Sequence, residues 1–437
     1  MPTATVLTLG CKVNQYESRG MIETLIRAGY SLVSGDCAAD LTIINSCSVT
    51  RKADFETRAL IRRANRVNPA GKCIITGCYA QVQPEKLMPL PGVALVLGQE
   101  YKQDFLGFLA ETDPQSGPVV HVSPLRSDLE VHSLGFPGFD RTRAFFRIQD
   151  GCSSWCSYCI IPQTRGPSRS MRPDKVLDGL AFYEKGGYAE VVLSGIHLGL
   201  WGMDLTPPIN LAGLLDQIKT RAFKLRLRLS SVEPCEVTPE LVRSMRRFPR
   251  FCPHLHLPLQ SGDDEILARM RRPYTSGYFK DLVFSLAREW PDMCLGADVM
   301  VGFPGEDERS FEKTRNLILE LPLAYLHVFP YSERPGTLAE KLPGKVADRE
   351  IKRRAASLRA IGQTKRLDFY KRQEGRIRPT LIENTRDRQT GLTRGLTDNY
   401  IQVLIPDYTL PAGEIVNVCL NGPGPDKRMY GEAVKAV

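Results

Sequence analysis

Short apolar runs alternate with helical patterns along most of this chain, and that alternation restricts it to α/β architectures more than any other property does. Within residues 4–110 the runs are ATVLTL, LTIINS, KCIITG and VALVLG, with one helix expected from about Asn14 to Ala28 and an Arg-rich one after the second run. This rhythm predicts an open sheet of parallel strands. A Pro-, Gly- and Ser-containing segment near 112–138 has little periodicity and reads as a linker. From Arg143 the alternation resumes with AFFRIQ, AEVVLSG, KLRLRLSS, PHLHLPL, LGADVMVGF and LAYLHVF, six βα units that suit a partial barrel better than an eightfold one. A long helix is expected near 348–373, and the tail then changes to period-two runs that predict a small antiparallel β-barrel. The expected division is an N-terminal domain over 1–115, a linker over 116–138, a (β/α)6 core over 139–370 and the small barrel over 371–437.

No run of about 18 apolar residues occurs, and the first residues, MPTATVLTLGCKVNQ, lack a charged and an apolar secretory region, so a cytoplasmic chain without a membrane partner is expected. Twelve cysteines in a reducing compartment point to metal binding or catalysis rather than a disulfide framework. In GCSSWCSYCIIP, Cys152, Cys156 and Cys159 have the spacing C-x3-C-x2-C directly after the first strand of the second α/β series. A zinc site is the main alternative, but structural zinc usually takes four ligands from paired C-x2-C modules, and no fourth ligand lies nearby. Three thiolates on a four-iron cluster would leave one iron open for a substrate or cofactor. Cys11, Cys47 and Cys78 each fall just beyond a strand of the first series, where open α/β sheets bind ligands. Cys37, Cys73, Cys235, Cys252, Cys294 and Cys419 share no such pattern and are expected to be inert, and the histidines other than His197 are assigned to packing.

The C-x3-C-x2-C loop with Tyr158 before its last cysteine resembles the defining loop of radical S-adenosylmethionine enzymes. LGCKVNQYES, NSCSVT, TGCYAQ, LSSVEP, HLHLPLQSGDDEILARMRRPYT, DVMVGFPGE and HVFPYSERPGT extend the resemblance to the methylthiotransferase family over nearly the whole chain, with a tail similar to the RNA-binding TRAM barrel. The resemblance implies two 4Fe-4S clusters, one on Cys152, Cys156 and Cys159 and one on Cys11, Cys47 and Cys78. It also implies two equivalents of S-adenosylmethionine per turnover, one giving a methyl group and one cleaved to a radical. No catalytic side chain beyond the cluster ligands is assigned.

The glycine-rich GGE element of many radical enzymes is not present as such; Ser194 and Gly195 stand at that place. Ser231, Glu233 and Gln260 follow barrel strands and are expected near the cofactor, as are Tyr158, Gly302 and Phe303. Arg165, Arg169, Arg271 and Arg272 are candidates for carboxylate contacts. Relatives act on isopentenyladenosine or threonylcarbamoyladenosine in tRNA, or on an aspartate of a ribosomal protein. LGCKVNQYES and SGIHLGLWGMDL resemble the threonylcarbamoyladenosine group, which implies the modified adenosine just 3′ of the anticodon. Residues 345–378 hold twelve Lys or Arg against four Asp or Glu, so Arg353, Arg354, Lys365, Arg366, Lys371 and Arg372 are expected to meet the phosphates of the tRNA anticodon stem-loop. Further expected partners are an electron donor such as a flavodoxin or ferredoxin and a sulfur source. The competing class is a non-catalytic metal-cluster protein that binds RNA.

Overall fold

The computed structural model describes residues 1–112, 117–126, 131, 135–139 and 142–434; part of the expected linker 116–138 and residues 435–437 lie outside these. Six parallel strands open the chain: β1 (Thr3–Thr8), β2 (Ser31–Leu32), β3 (Leu41–Ser46), β4 (Lys72–Gly77), β5 (Val93–Leu97) and β6 (Val119–His121), in the order β2-β1-β3-β4-β5-β6. The helices are α1 (Lys12–Arg27), α2 (Arg51–Val67), α3 (Cys78–Val82) and α4 (Phe105–Ala110). Met21 and Leu25 of α1 and Phe105 of α4 pack with Ile43, Ile74 and Leu95, whereas Ile61 of α2 and Tyr79 of α3 pack with Ile44, Ile75 and Val96. Successive residues of β3 and β4 thus serve opposite faces, which is why both strands are continuous apolar runs.

The central part holds β7 (Arg143–Arg147), a short antiparallel pair β8 (Gln149–Asp150) and β9 (Arg169–Ser170), then β10 (Glu190–Ser194), β11 (Arg226–Leu229), β12 (His254–Gln260), β13 (Cys294–Val301) and β14 (Tyr325–Pro330). β7, β10 and β11 form one parallel sheet and β12, β13 and β14 another; parallel bridges Leu227–Phe251 and Ser231–His256 join the two. The result is the expected six-stranded partial barrel. Its outer helices are α5 (Ile161–Arg165), α6 (Pro173–Lys185), α7 (Leu211–Thr220), α8 (Pro239–Arg247), α9 (Asp264–Arg269), α10 (Ser276–Glu289) and α11 (Glu308–Glu320). One core, including Leu193, Leu229, Leu257 and Val299, fills the space between strands and helices, and Tyr16 of α1 is part of it.

The helix α12 (Asp348–Arg372) lies against β14 and leads into β15 (Ile377–Ile382), β16 (Thr393–Thr397), β17 (Gln402–Ile405), β18 (Ile415–Pro423) and β19 (Met429–Ala433). These close as β15-β16-β17-β19-β18. The expected antiparallel barrel has one parallel pair, β17 with β19. An odd number of strands cannot alternate in direction around a closed ring, so one such pair is unavoidable.

Candidate active site

The loop between β8 and α5 presents Cys152, Cys156 and Cys159 just past β7. Cys152 N donates to Gly166 O at 2.9 Å, closing its base, and Ser157 Oγ donates to Arg269 O at 2.7 Å. His197 Nδ1 lies 3.3 Å from Cys152 Sγ, and Arg272 Nη1 donates to Cys156 Sγ at 3.4 Å. Burial pushes the Cys159 thiol up to about 12 and raises Cys156 too, the latter against the pull of Arg272. Burial works against the charged form of His197, but its hydrogen bonds to Cys152 and to Glu236 (Nε2 to Oε1, 2.5 Å) outweigh that and raise it to about 10.

On the N-terminal sheet, Cys11 caps α1, Cys47 follows β3, and Cys78 opens α3, so all three stand at the C-terminal edge of the strands. Gly10 makes the first two compatible: its φ is +100°, and a Cβ there would lie 2.8 Å from Cys47 Cβ and 2.9 Å from its Sγ. Asn14 ties the loops together, its Nδ2 donating to Leu9 O at 2.7 Å and to Ser46 O at 3.0 Å. Burial, and then the neighbouring Cys78, push the Cys47 thiol up to about 12.

Each triad offers three thiolates, a donor set that suits an iron-sulfur cluster with one iron left open. Among the described residues, His256, Asp298 and His327 bring three ligand atoms within 4.8 Å of one another. A cavity of about 280 Å³ opens beside Cys159. Val49 and Thr50, just past Cys47, form one side; Tyr158, Cys159, Ile160 and Ile161 form another; Gln260, Asp298, Met300 and Tyr331 come from the strand ends.

The other sequence candidates fare unequally. Tyr158 and Gln260 line the cavity, and Gln260 has a φ of +63°. Glu233 forms an ion pair with Arg272 beside Cys156. Ser194 is buried with its Oγ on Phe146 O, Gly195 lies so close to Gln149 that a Cβ would meet its Oε1 at 2.6 Å, and Ser231 is exposed at the rim. Gly302 abuts Ile351 of α12. Phe303 is buried behind Tyr158 with Met270 and Ala339. On α12, Arg354 is 4% exposed and bound to Glu306, so the expected phosphate contact there is corrected; Arg353 is exposed and pairs with Glu308 and Glu350, and Lys365 donates to Leu319 O and Leu321 O. Arg372 lies over the Phe369 ring, Lys371 is exposed, and Arg366 faces a cavity beneath the small barrel.

The pattern described as "Uncharacterized protein family UPF0004" matches residues 3–98, and that of the Radical SAM superfamily matches residues 146–318. The Threonylcarbamoyladenosine tRNA methylthiotransferase MtaB of Bacillus subtilis (strain 168) is 37% identical over 96% of this chain and 93% of its own length. The MtaB of Aquifex aeolicus (strain VF5) is 36% identical over 94% and 98%. This chain belongs to the methylthiotransferase family. A tRNA-2-methylthio-N(6)-dimethylallyladenosine synthase of Moorella thermoacetica is 32% identical over 96% of this chain and 95% of its own length. Among solved structures, the radical S-adenosylmethionine methyltransferase TsrM of Kitasatospora setae superposes with a TM-score of 0.53 at 15% identity, over 76% of this chain and 75% of that one, a likeness of fold.

Several groups at the methylthiotransferase site escaped the sequence reading. Arg165, expected to reach a carboxylate of substrate or cofactor, is fully buried between Glu17 and Asp150 of the chain itself. Arg272 meets Glu233 and Cys156, and Arg169 Nη2 donates to Arg165 O. Asn14 and Glu17 follow Cys11 by three and six residues, on one face of α1, and that spacing was the available signal. His256 and His327, assigned to packing, converge on Asp298.

Proposed function

We propose that this enzyme adds a methylthio group to N6-threonylcarbamoyladenosine in tRNA, at the adenosine just 3′ of the anticodon. The cavity that Cys159 shares with Val49 and Thr50, just past Cys47, carries the reading, because there the loop of the barrel triad faces the loop that follows a cysteine of the N-terminal one. The substrate follows the relatives: five MtaB proteins match at 34–37% identity, against 32% for three dimethylallyladenosine synthases.

Cys152, Cys156 and Cys159 would hold one 4Fe-4S cluster and Cys11, Cys47 and Cys78 a second; bound there, they supply reductive cleavage of S-adenosylmethionine and the sulfur to be transferred. Ser194, Gly195, Ser231, Glu233 and Gln260 at the strand ends would bind S-adenosylmethionine. Arg272, shared by Glu233 and Cys156, orients both. Asp298 and Gln260 present acceptors and donors to the base, and Tyr158 and Tyr331 keep water from it. Units 1–115, 139–370 and 371–437, joined by 116–138, would divide the work among the sulfur-bearing triad, the radical chemistry and RNA. The enzyme would act in the cytoplasm with a flavodoxin or ferredoxin and a separate sulfur source; no helix among the described residues is long and apolar enough to cross a membrane.

Mass analysis of tRNA nucleosides from a deletion strain tests this. Methylthio-threonylcarbamoyladenosine should vanish while methylthio-isopentenyladenosine persists. The opposite pattern defeats the substrate assignment, and a purified holoprotein that never cleaves S-adenosylmethionine defeats the enzyme.

A further inference from the structure

The barrel loop and the N-terminal triad meet through one buried cluster of charges. Arg165 ends α5, the helix that follows Cys159, and its Nη1 lies 3.0 Å from each carboxylate oxygen of Asp150, which precedes Gly151 and Cys152. One guanidinium therefore clamps both ends of the cysteine loop. The same guanidinium turns toward the other triad: Nη2 donates to Asn14 Oδ1 at 2.5 Å, and Glu17 accepts from Nη1 at 3.0 Å and from Nη2 at 3.2 Å. Asn14 is the residue whose amide holds the carbonyls of Leu9 and Ser46, the approaches to Cys11 and Cys47. Glu17 also accepts from Lys102, whose Nζ reaches Gln99 Oε1, and Gln99 Nε2 lies 3.8 Å from Cys78 Sγ. α5 packs directly on α3, which begins at Cys78.

We propose that Arg165 is the positioning residue that fixes the separation of the two cysteine triads, with Asn14 as its coupling to the N-terminal loops. The contacts of Arg165 to Asp150, Glu17 and Asn14 are buried and directional, and a planar fork holds two partners in one plane where an ammonium would hold a point. Three cations, Lys102, Arg147 and Arg165, face two carboxylates, Glu17 and Asp150, so one positive charge is left beside the N-terminal thiols.

The proposal rests on the two-cluster reading above, and the test separates the two. Arg165→Lys keeps the charge and loses the fork; Asn14→Ala leaves the ion cluster whole and frees the two loops; Arg147→Lys disturbs the same cluster without touching Asn14. Reconstituted full-length proteins are compared by iron content, by the pulsed-EPR distance between the two reduced clusters, and by methylthiolated tRNA formed per 5′-deoxyadenosine. Arg165→Lys and Asn14→Ala should retain iron and cleavage of S-adenosylmethionine, change the inter-cluster distance, and lower product per cleavage about a hundredfold, as small misplacements do. Arg147→Lys should lower stability and keep that ratio. Wild-type distance and ratio in Arg165→Lys and Asn14→Ala overturn the proposal, as does an equal fall in Arg147→Lys. A wild-type protein that cleaves S-adenosylmethionine yet never modifies tRNA overturns the functional reading instead, and the inter-cluster distance still judges Arg165.

Discussion

Cys78 and Cys156 carry the same thiol in different surroundings, and the difference assigns them different losses. Cys156 lies under the Arg272 guanidinium, which also pairs with Glu233 at the strand ends. Cys78 opens α3 on the other sheet, beside Gln99. If the two triads serve successive steps, Cys156→Ser should abolish 5′-deoxyadenosine and product alike. Cys78→Ser should keep 5′-deoxyadenosine and lower methylthiolated nucleoside more than about a hundredfold, beyond the loss typical of an outer-shell change. Chromatography of both products in one reaction checks this, and equal losses in the two variants would dissolve the division of labour.

At the scale of elements, turns rather than strands carry the measurable electrostatics of the small barrel. Asp387, between β15 and β16, accepts from Thr390 N at 2.9 Å and Thr390 Oγ1 at 2.8 Å, and Arg428 of the β18–β19 turn donates to it at 2.9 Å. The Thr390 hydrogen bonds, then Arg428, hold its carboxyl down at about 2 against an ordinary 3.8. A depressed acid contributes stability that is complete above its unfolded value and lost as pH falls through the folded one. The barrel should therefore weaken between about pH 4 and pH 2, and Asp387→Asn should flatten that limb of the acid-unfolding curve. Such a turn is hard to read from sequence, since Arg428 lies far along the chain. What was legible is the periodic part: Cys152, Cys156 and Cys159 by spacing, Cys11, Cys47 and Cys78 by their strand-end places, and α12 by its run of charge. Helix α1 shows why the rest was not. It buries Asn14, Glu17 and Ser18, with Asn14 and Glu17 meeting Arg165 and Glu17 meeting Arg147 of the barrel, so its polar face reads as solvated although it is an interface. On α12 formal charge was counted without partners, and Arg354 and Lys365 are spent on Glu306 and on backbone carbonyls.

The whole molecule is held together by charges that its separate parts would leave unpaired. Glu190, fully buried at the start of β10, pairs with Arg226 at 2.6 Å and Arg228 at 2.9 Å, and Arg143 lies 3.7 Å away. The other arms of the two paired arginines reach the small barrel, at Pro379 O, Leu396 O, Thr397 O and Asp398 O. These cations hold the Glu190 carboxyl well below the usual range, against its burial. Glu190→Ala leaves buried arginines without their counter-ion, and should cost about 3–5 kcal/mol in urea unfolding. The junction so formed has a functional side. A cavity of about 360 Å³ lies between β14, α12 and the small barrel, with Tyr325, Tyr370 and Tyr400 in its wall, and a second groove of about 530 Å³ shares Gln363, Arg366, Tyr370 and Gln402 with it. His327 lines the first cavity and lies 3.4 Å from Asp298, which lines the cavity beside Cys159. Arg366 and Lys427 line the groove with no acidic partner among the described residues, unlike Arg394 and Arg428, which pair with Glu383 and Asp387. Tyrosines suit unstacked bases and unpaired cations suit phosphate. Arg366→Glu with Lys427→Glu should therefore weaken tRNA binding and flatten its salt dependence by about 0.7 in slope for each phosphate that is no longer neutralised. Arg354→Ala should instead lower stability and leave the slope unchanged, because its guanidinium is committed to Glu306. A salt slope that moves with Arg354 and ignores Arg366 would return the footprint to the outer face of the helix.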